Sequence, residues 1–182
     1  LSLYNKYPAI IDYTNLVQLT YNGTFTAAQQ VEIPLQGING LAGALFFVLR
    51  ASKAAAASAI RTFTPIGGTV ETSGAIDIVN ANKVSLFGSG PLSPAYIRFQ
   101  LPSLYTFGDQ SSKIPIYWLY LNSKPVHSIL SGVIHGGIAF SGREFLRITP
   151  GTGFTSQNYT LDMYFYMHST LSLVNGTFKR LM

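Results

Sequence analysis

The chain contains no cysteine, which rules out a disulfide framework and any thiolate metal site and leaves its redox compartment open. Charge is almost as scarce. Only 10% of the 182 residues are Asp, Glu, Lys or Arg, against about 25% in an average domain. Little of the surface is therefore defended by strongly hydrated groups, and covering it with a neighbour costs less desolvation than usual. The net charge of +5 is spread over single Lys and Arg residues, and only Lys179 and Arg180 are adjacent. A nucleic-acid binder normally shows a basic run or stripe, so no specific nucleic-acid site is expected. The longest apolar run, Leu41 to Leu49, stops at Arg50 and is too short for a membrane-spanning helix. No signal peptide is visible, and the chain opens on Leu1 rather than Met, so its start is expected to be an artificial boundary or a cut through a longer polypeptide rather than a processing site.

Reactive groups that converge in sequence are also missing. The three histidines, His127, His135 and His168, include no His-x-His pair of the kind a barrel metal site uses. Ser89 and Ser141 each sit beside glycine but lack the Gly-x-Ser-x-Gly spacing of a nucleophile elbow. No phosphate loop or dinucleotide fingerprint is found among the 17 glycines. The seven acids (Asp12, Glu32, Glu71, Asp77, Asp109, Glu144 and Asp162) are dispersed, and nothing singles out a catalytic pair. The expectation is a non-enzymatic chain with no catalytic, cofactor-binding or metal-binding residues.

What is present is strand after strand. From Tyr159 to Met167 the odd positions are apolar (Tyr159, Leu161, Met163, Phe165, Met167) and the even ones polar or amphipathic (Thr160, Asp162, Tyr164, Tyr166). That period of two describes one buried and one outward face. Leu16–Tyr21 runs into Asn22–Gly23, a hairpin-type dipeptide. Further strands are predicted at 31–35, 45–49, 75–79, 84–87, 95–101, 114–121, 129–140 and 144–149, separated by Gly, Pro and Ser clusters. Leu45–Leu49 is apolar on both faces, as suits a central strand. One short helix is predicted over the alanine-rich segment Ser52–Ile60. The length suits one domain, residues 1–182, and the pattern suits a β-sandwich or barrel.

Two passages carry a family likeness. They are Val31 to Arg50 (VEIPLQGINGLAGALFFVLR) and the region from Ile116 to Phe178, which includes Phe140, Ser141 and Glu144 and then the long alternating strand. This order resembles the C-terminal jelly roll of the double-jelly-roll major capsid proteins of icosahedral DNA viruses, over roughly half the chain. The resemblance implies an all-β fold, a single eight-stranded jelly-roll sandwich with extra strands and one short helix in a loop. It further implies a virion protein that self-associates into trimeric or pseudo-hexameric capsomers, with neighbouring capsid subunits as partners. Those subunits carry two rolls and this length holds one, so the chain is either half of a longer subunit or a single-roll relative.

The expected core is Leu45, Phe47, Leu49, Trp118, Leu161, Met163, Phe165 and Met167, and the expected interface is Tyr164 and Tyr166. Asn22, Asn158 and Asn175 open Asn-x-Thr sequons, each expected in a turn or loop where a glycan could attach. A second reading is a carbohydrate- or receptor-binding jelly roll, with a glycan as partner. It expects Tyr117, Trp118 or Tyr120 exposed in a concave patch.

Overall fold

The computed structural model describes residues 9–52, 63–68, 71–105, 115–122, 136–174 and 177–181. The expected helix over Ser52–Ile60, apart from Ser52 itself, lies outside them, as do His127, His135 and Asn175. Nine strands are described: β1 (Ala9–Phe25), β2 (Val31–Pro34), β3 (Asn39–Ala51), β4 (Ala75–Val79), β5 (Tyr117–Tyr120), β6 (Ile138–Ser141), β7 (Phe145–Thr149), β8 (Gln157–Val174) and β9 (Thr177–Leu181). β8 is the axle of the larger sheet. Its whole length pairs with β1, and its other edge pairs first with β3 and then with β9. β3 in turn carries β6 and β5 on its far edge, which gives six strands. The smaller sheet has the order β2-β7-β4. Every pairing is antiparallel, and β1 with β8, β2 with β7 and β3 with β6 are nested. A chain folded back on itself in nested pairs and wrapped across two sheets is a jelly roll.

The two inner faces supply the core. Leu45, Phe47, Leu49, Leu161, Met163 and Phe165 are at 0% exposure and Met167 at 2%, facing Ile33, Ile76, Ile78, Leu146 and Ile148 from the smaller sheet. Phe140 meets Phe165 edge-on at 5.6 Å, and Phe25 meets Tyr159 likewise at 6.0 Å, the geometry preferred by aromatic quadrupoles.

Three local expectations are corrected. Asn22–Gly23 makes no turn, because β1 runs straight through to Phe25 and Asn22 pairs with Thr160 of β8. A Cβ at position 23 would lie 2.6 Å from the far end of the Tyr21 ring, so a larger residue there would require that side chain to shift. The segment 84–87 is a turn, tied to β4 by a single bridge from Ser85 to Val79. The segment 95–101 is helical, with a π-helical turn over Tyr96–Gln100 that continues as α1 (Leu101–Tyr105). Ser93 accepts a hydrogen bond from the Tyr96 N–H at 3.2 Å, and Pro94 follows it. A capping Ser with Pro in the first turn is a helix-start signal, and it overrides four alternating apolar residues.

Phe165→Ala removes a fully buried ring from the centre of β8, and a loss of about 3–5 kcal/mol is expected in denaturant unfolding. A loss below about 1 kcal/mol, the range of surface changes, would contradict the buried placement.

Candidate interaction surface

The outer faces of the two sheets differ in chemistry. Strand register lines up Gln18, Tyr164, Phe46 and Trp118 across the larger sheet, with Leu16, Tyr166, Ala44 and Tyr120 in the next row. The rings stack on one another: Phe46 lies 4.9 Å from Trp118 and 4.9 Å from Tyr164, and Trp118 lies 6.2 Å from Tyr120. Phe46, Trp118, Tyr120, Tyr164 and Tyr166 are half-buried, while Leu16 is 52% exposed. Burial pushes the Tyr120 phenol up to about 12, so it stays neutral throughout the ordinary pH range. Beyond the rings the face becomes polar. Asp162 accepts hydrogen bonds from Thr20 at 2.9 Å and from Arg50 Nε at 2.7 Å.

The outer face of the smaller sheet is charged instead. Glu32, Arg147 and Asp77 stand in one cross-strand row. Glu32 accepts from Arg147 Nε at 2.8 Å and from Lys83, whose ammonium also sits 3.4 Å over the Phe145 ring. The hydrogen bond from Lys83 lowers the Glu32 pKa, burial opposes it, and Arg147 adds to the lowering. Ser85 donates to Asp77 at 2.7 Å. One sheet thus presents neutral aromatic surface outward and the other presents ion pairs.

Of the residues singled out in sequence, Tyr164 and Tyr166 lie together in the aromatic rows. Trp118 is corrected. It is half-buried on the outer face, and its neighbours Tyr117 and Leu119 point inward at 0% and 1% exposure. Strand alternation forces one or the other inside, and the Tyr117 hydroxyl finds buried partners there. Of the three residues named for a concave sugar platform, Tyr117 is therefore inside, and Trp118 stacks on both Tyr120 and Phe46. His168 is buried, packed against Gly43, where a Cβ would collide with its ring. Among the described residues no group of three His, Asp or Glu could hold a metal. Asn22 and Asn158 lie in strands rather than in loops, a second correction to their expected setting.

Ser141 and Glu144 form a turn between β6 and β7. The Glu144 carboxylate accepts from the Ser141 N–H at 2.9 Å, the Ser141 hydroxyl at 2.7 Å and the Arg143 N–H at 3.1 Å. Burial raises its pKa, but these hydrogen bonds outweigh it and the net shift is downward. A carboxyl with a lowered folded pKa stabilises fully above its unfolded pKa and loses that contribution as pH falls through the folded value. The acid-side fall in stability should therefore be shallower in Glu144→Gln, as read by unfolding at a series of pH values. An unchanged slope would contradict the lowered pKa.

Sequence reading missed a buried polar cluster. Glu71, 2% exposed and with φ of 52°, accepts from the Gly67 N–H at 2.7 Å, the Tyr117 hydroxyl at 2.5 Å and Arg98 Nη1 at 2.8 Å. The Tyr117 oxygen also accepts from the Ile66 N–H at 2.6 Å. Burial, together with the adjacent Glu71 carboxylate, raises the Tyr117 pKa far beyond its usual range. The cluster ties Ile66, Gly67 and Glu71 to β5 and to the π-helical turn. It joins residues 27 and 46 positions apart, and no local pattern announces it. Tyr117→Phe strands a buried N–H and takes a donor from Glu71, so a loss of about 1–3 kcal/mol is expected in chemical denaturation. No measurable loss would show that the hydroxyl is not bonded as described.

No family model and no curated protein matches the sequence. Solved structures do match. A chain in the quasi-atomic model of the PBCV-1 virus capsid aligns over 97% of this chain with a TM-score of 0.66 at 13% identity. PBCV-1 VP54, a crystal structure fitted into a reconstruction of the virophage Sputnik, aligns over 100% with a TM-score of 0.59 at 11% identity. The chain spans about half the length of these chains, 52% and 53%. The fold is therefore the jelly roll of these viral capsid structures.

Proposed function

We propose that this chain is a structural protein of a viral capsid. It acts as one jelly roll that self-associates, together with neighbouring capsid subunits, into trimeric or pseudo-hexameric capsomers of the virion. The observation that carries this reading is the neutral aromatic face of the larger sheet, set on a fold shared with capsid chains about twice as long. Tyr and Trp offer large apolar area with a polar edge, which is why such residues are enriched in protein interfaces. Covering them removes no charge from water. Covering the opposite sheet would bury Glu32, Arg147 and Lys83 and carry their desolvation cost.

The length ratio supports a pairing of this roll with a second one, in the same subunit or a neighbour. A shell needs many modest contacts repeated by symmetry rather than one tight site. Half-buried rings spread over β8, β3 and β5 suit that requirement.

Light scattering and electron microscopy over a range of concentrations test the proposal. The natural chain is expected to exceed monomer mass, and the double variant Tyr164→Ser, Tyr166→Ser to fall toward the monomer. Lys83→Ala, which removes a partly exposed ion pair and the cation over the Phe145 ring on the charged face, should keep the natural mass. An unchanged mass in the tyrosine double variant would contradict the assigned face.

A further inference from the structure

The register of β1 and β8 brings together two Asn-x-Thr sequons that lie far apart in the chain. Asn22 stands opposite Thr160, and Thr24 stands opposite Asn158. Residues two apart share a face of a strand, so the Asn and Thr of each sequon point outward together. Gly23 and Tyr159 are paired between them, and Tyr159 enters the core at 0% exposure. The hydroxyls then cross over. Thr24 donates to Asn158 Oδ1 at 2.6 Å, and Thr160 donates to Asn22 Oδ1 at 2.7 Å. Both amides are held by their oxygens, which leaves their nitrogens, the atoms to which a glycan attaches, outside these bonds.

The two sequons are not equivalent. β1 ends the larger sheet on its side, and among the described residues its second edge is unpaired. Asn22 and Thr24 are both exposed and lie close to the end of that strand at Phe25. β8 is gripped from both sides. Thr160 pairs with Asn22 on one side and Arg50 on the other, and the Asn158 carbonyl accepts from the Ser52 N–H at 3.0 Å. Thr160 is 7% exposed, and Tyr159 is packed against the rings of Phe25 and Phe154. A transferase that reads Asn-x-Thr must engage both the asparagine and the hydroxyl two residues on. At 22–24 it reaches them by loosening the end of one edge strand, whereas at 158–160 a core tyrosine must be withdrawn.

We propose that Asn22 is an N-glycan acceptor of the folded chain and that Asn158 is not. Asn22 Nδ2 bonds to the anomeric carbon of a sugar carried on a nucleotide or lipid diphosphate. The sugar–phosphate C–O bond breaks, the diphosphate leaves with the electron pair, and one amide proton passes to a base of the transferase. Asn22 Oδ1 is not consumed, so Thr160 keeps its acceptor and the strand register survives. A shallow cleft of about 330 Å³ along Asn22, Gly23, Thr24, Ser52 and Asn158 leaves room for the first sugar. The role of Asn158 is to hold Thr24. The inference is independent of the assembly proposal, because it concerns the polar end of the face and not the rings.

The test uses the unglycosylated full chain made in bacteria, a soluble N-glycosyltransferase that reads Asn-x-Ser/Thr, and UDP-glucose. Peptide mapping by mass spectrometry follows hexose addition at Asn22 and Asn158 over time, with synthetic peptides 18–28 and 154–164 as the unfolded reference. Both peptides are expected to accept hexose, and in the folded chain Asn22 should be modified about tenfold or more faster than Asn158. Asn158→Ala releases Thr24 and should speed addition at Asn22 about two- to tenfold, the range of one net hydrogen bond. Thr24→Ser should retain addition at Asn22 and Thr24→Ala should abolish it. A folded chain that takes no hexose at Asn22, or takes it equally fast at Asn158, would overturn the proposal. Refusal of the Asn22 peptide, or an unchanged rate in Thr24→Ala, would do the same.

Discussion

Strand β8 works under a constraint that the rest of the molecule inherits: its side chains alternate between two environments for most of its length. Tyr159, Leu161, Met163, Phe165 and Met167 enter the core, while Tyr164 and Tyr166 face outward between β1 and β3. A slip of one residue would exchange the two sets and drive Asp162 into the core in place of Leu161 or Met163. The register is therefore fixed by burial, and β1 and β3 take theirs from it. Phe46 reaches the outer face only because Phe47 is inside, and Trp118 follows Phe46 across the next strand pair. The aromatic rows are in this sense a by-product of core packing, made continuous by the rings of Phe46, Trp118, Tyr120, Tyr164 and Tyr166 at outward sites.

The two faces then divide the scarce charge of the chain. Glu32, Lys83 and Arg147 gather on the smaller sheet and satisfy one another there. On the larger sheet the rings are neutral, and the one described ion pair on that face, Arg50 with Asp162, lies at its polar end. A sandwich with one face suited to water and the other to contact has a built-in orientation. That asymmetry, and not any reactive group, is what the proposed capsid role draws on. At the same end of the face Asn22, Thr24, Asn158 and Thr160 lock together through hydrogen bonds in place of ring contacts.

A β-sandwich or barrel was legible in the sequence, because its strands repeat a two-residue period and turn residues separate them, while the jelly roll was implied only by the family resemblance. β4 is described over the same residues that alternation predicts, and β7 within one residue. Short-range signals failed where a longer-range partner decided the outcome. Asn22–Gly23 reads as a turn until Thr160 and Tyr159 pair with it. Alternation at 95–101 is overridden by the hydrogen bond at Ser93. In YWLY either aromatic could be inside, and Tyr117 is chosen because Glu71 and Ile66 bond its hydroxyl. Glu71 carried no signal of its own, since its partners Tyr117 and Arg98 are brought to it only by the completed fold.

Hydroxyl-radical footprinting, comparing dilute chain with concentrated, assembled material, tests most directly whether the aromatic face is the contact surface. The account predicts that Phe46, Trp118, Tyr164 and Tyr166 lose reactivity on assembly while Phe145 on the charged sheet keeps it. Unchanged reactivity of those four residues, with protection appearing on the charged sheet instead, would contradict it.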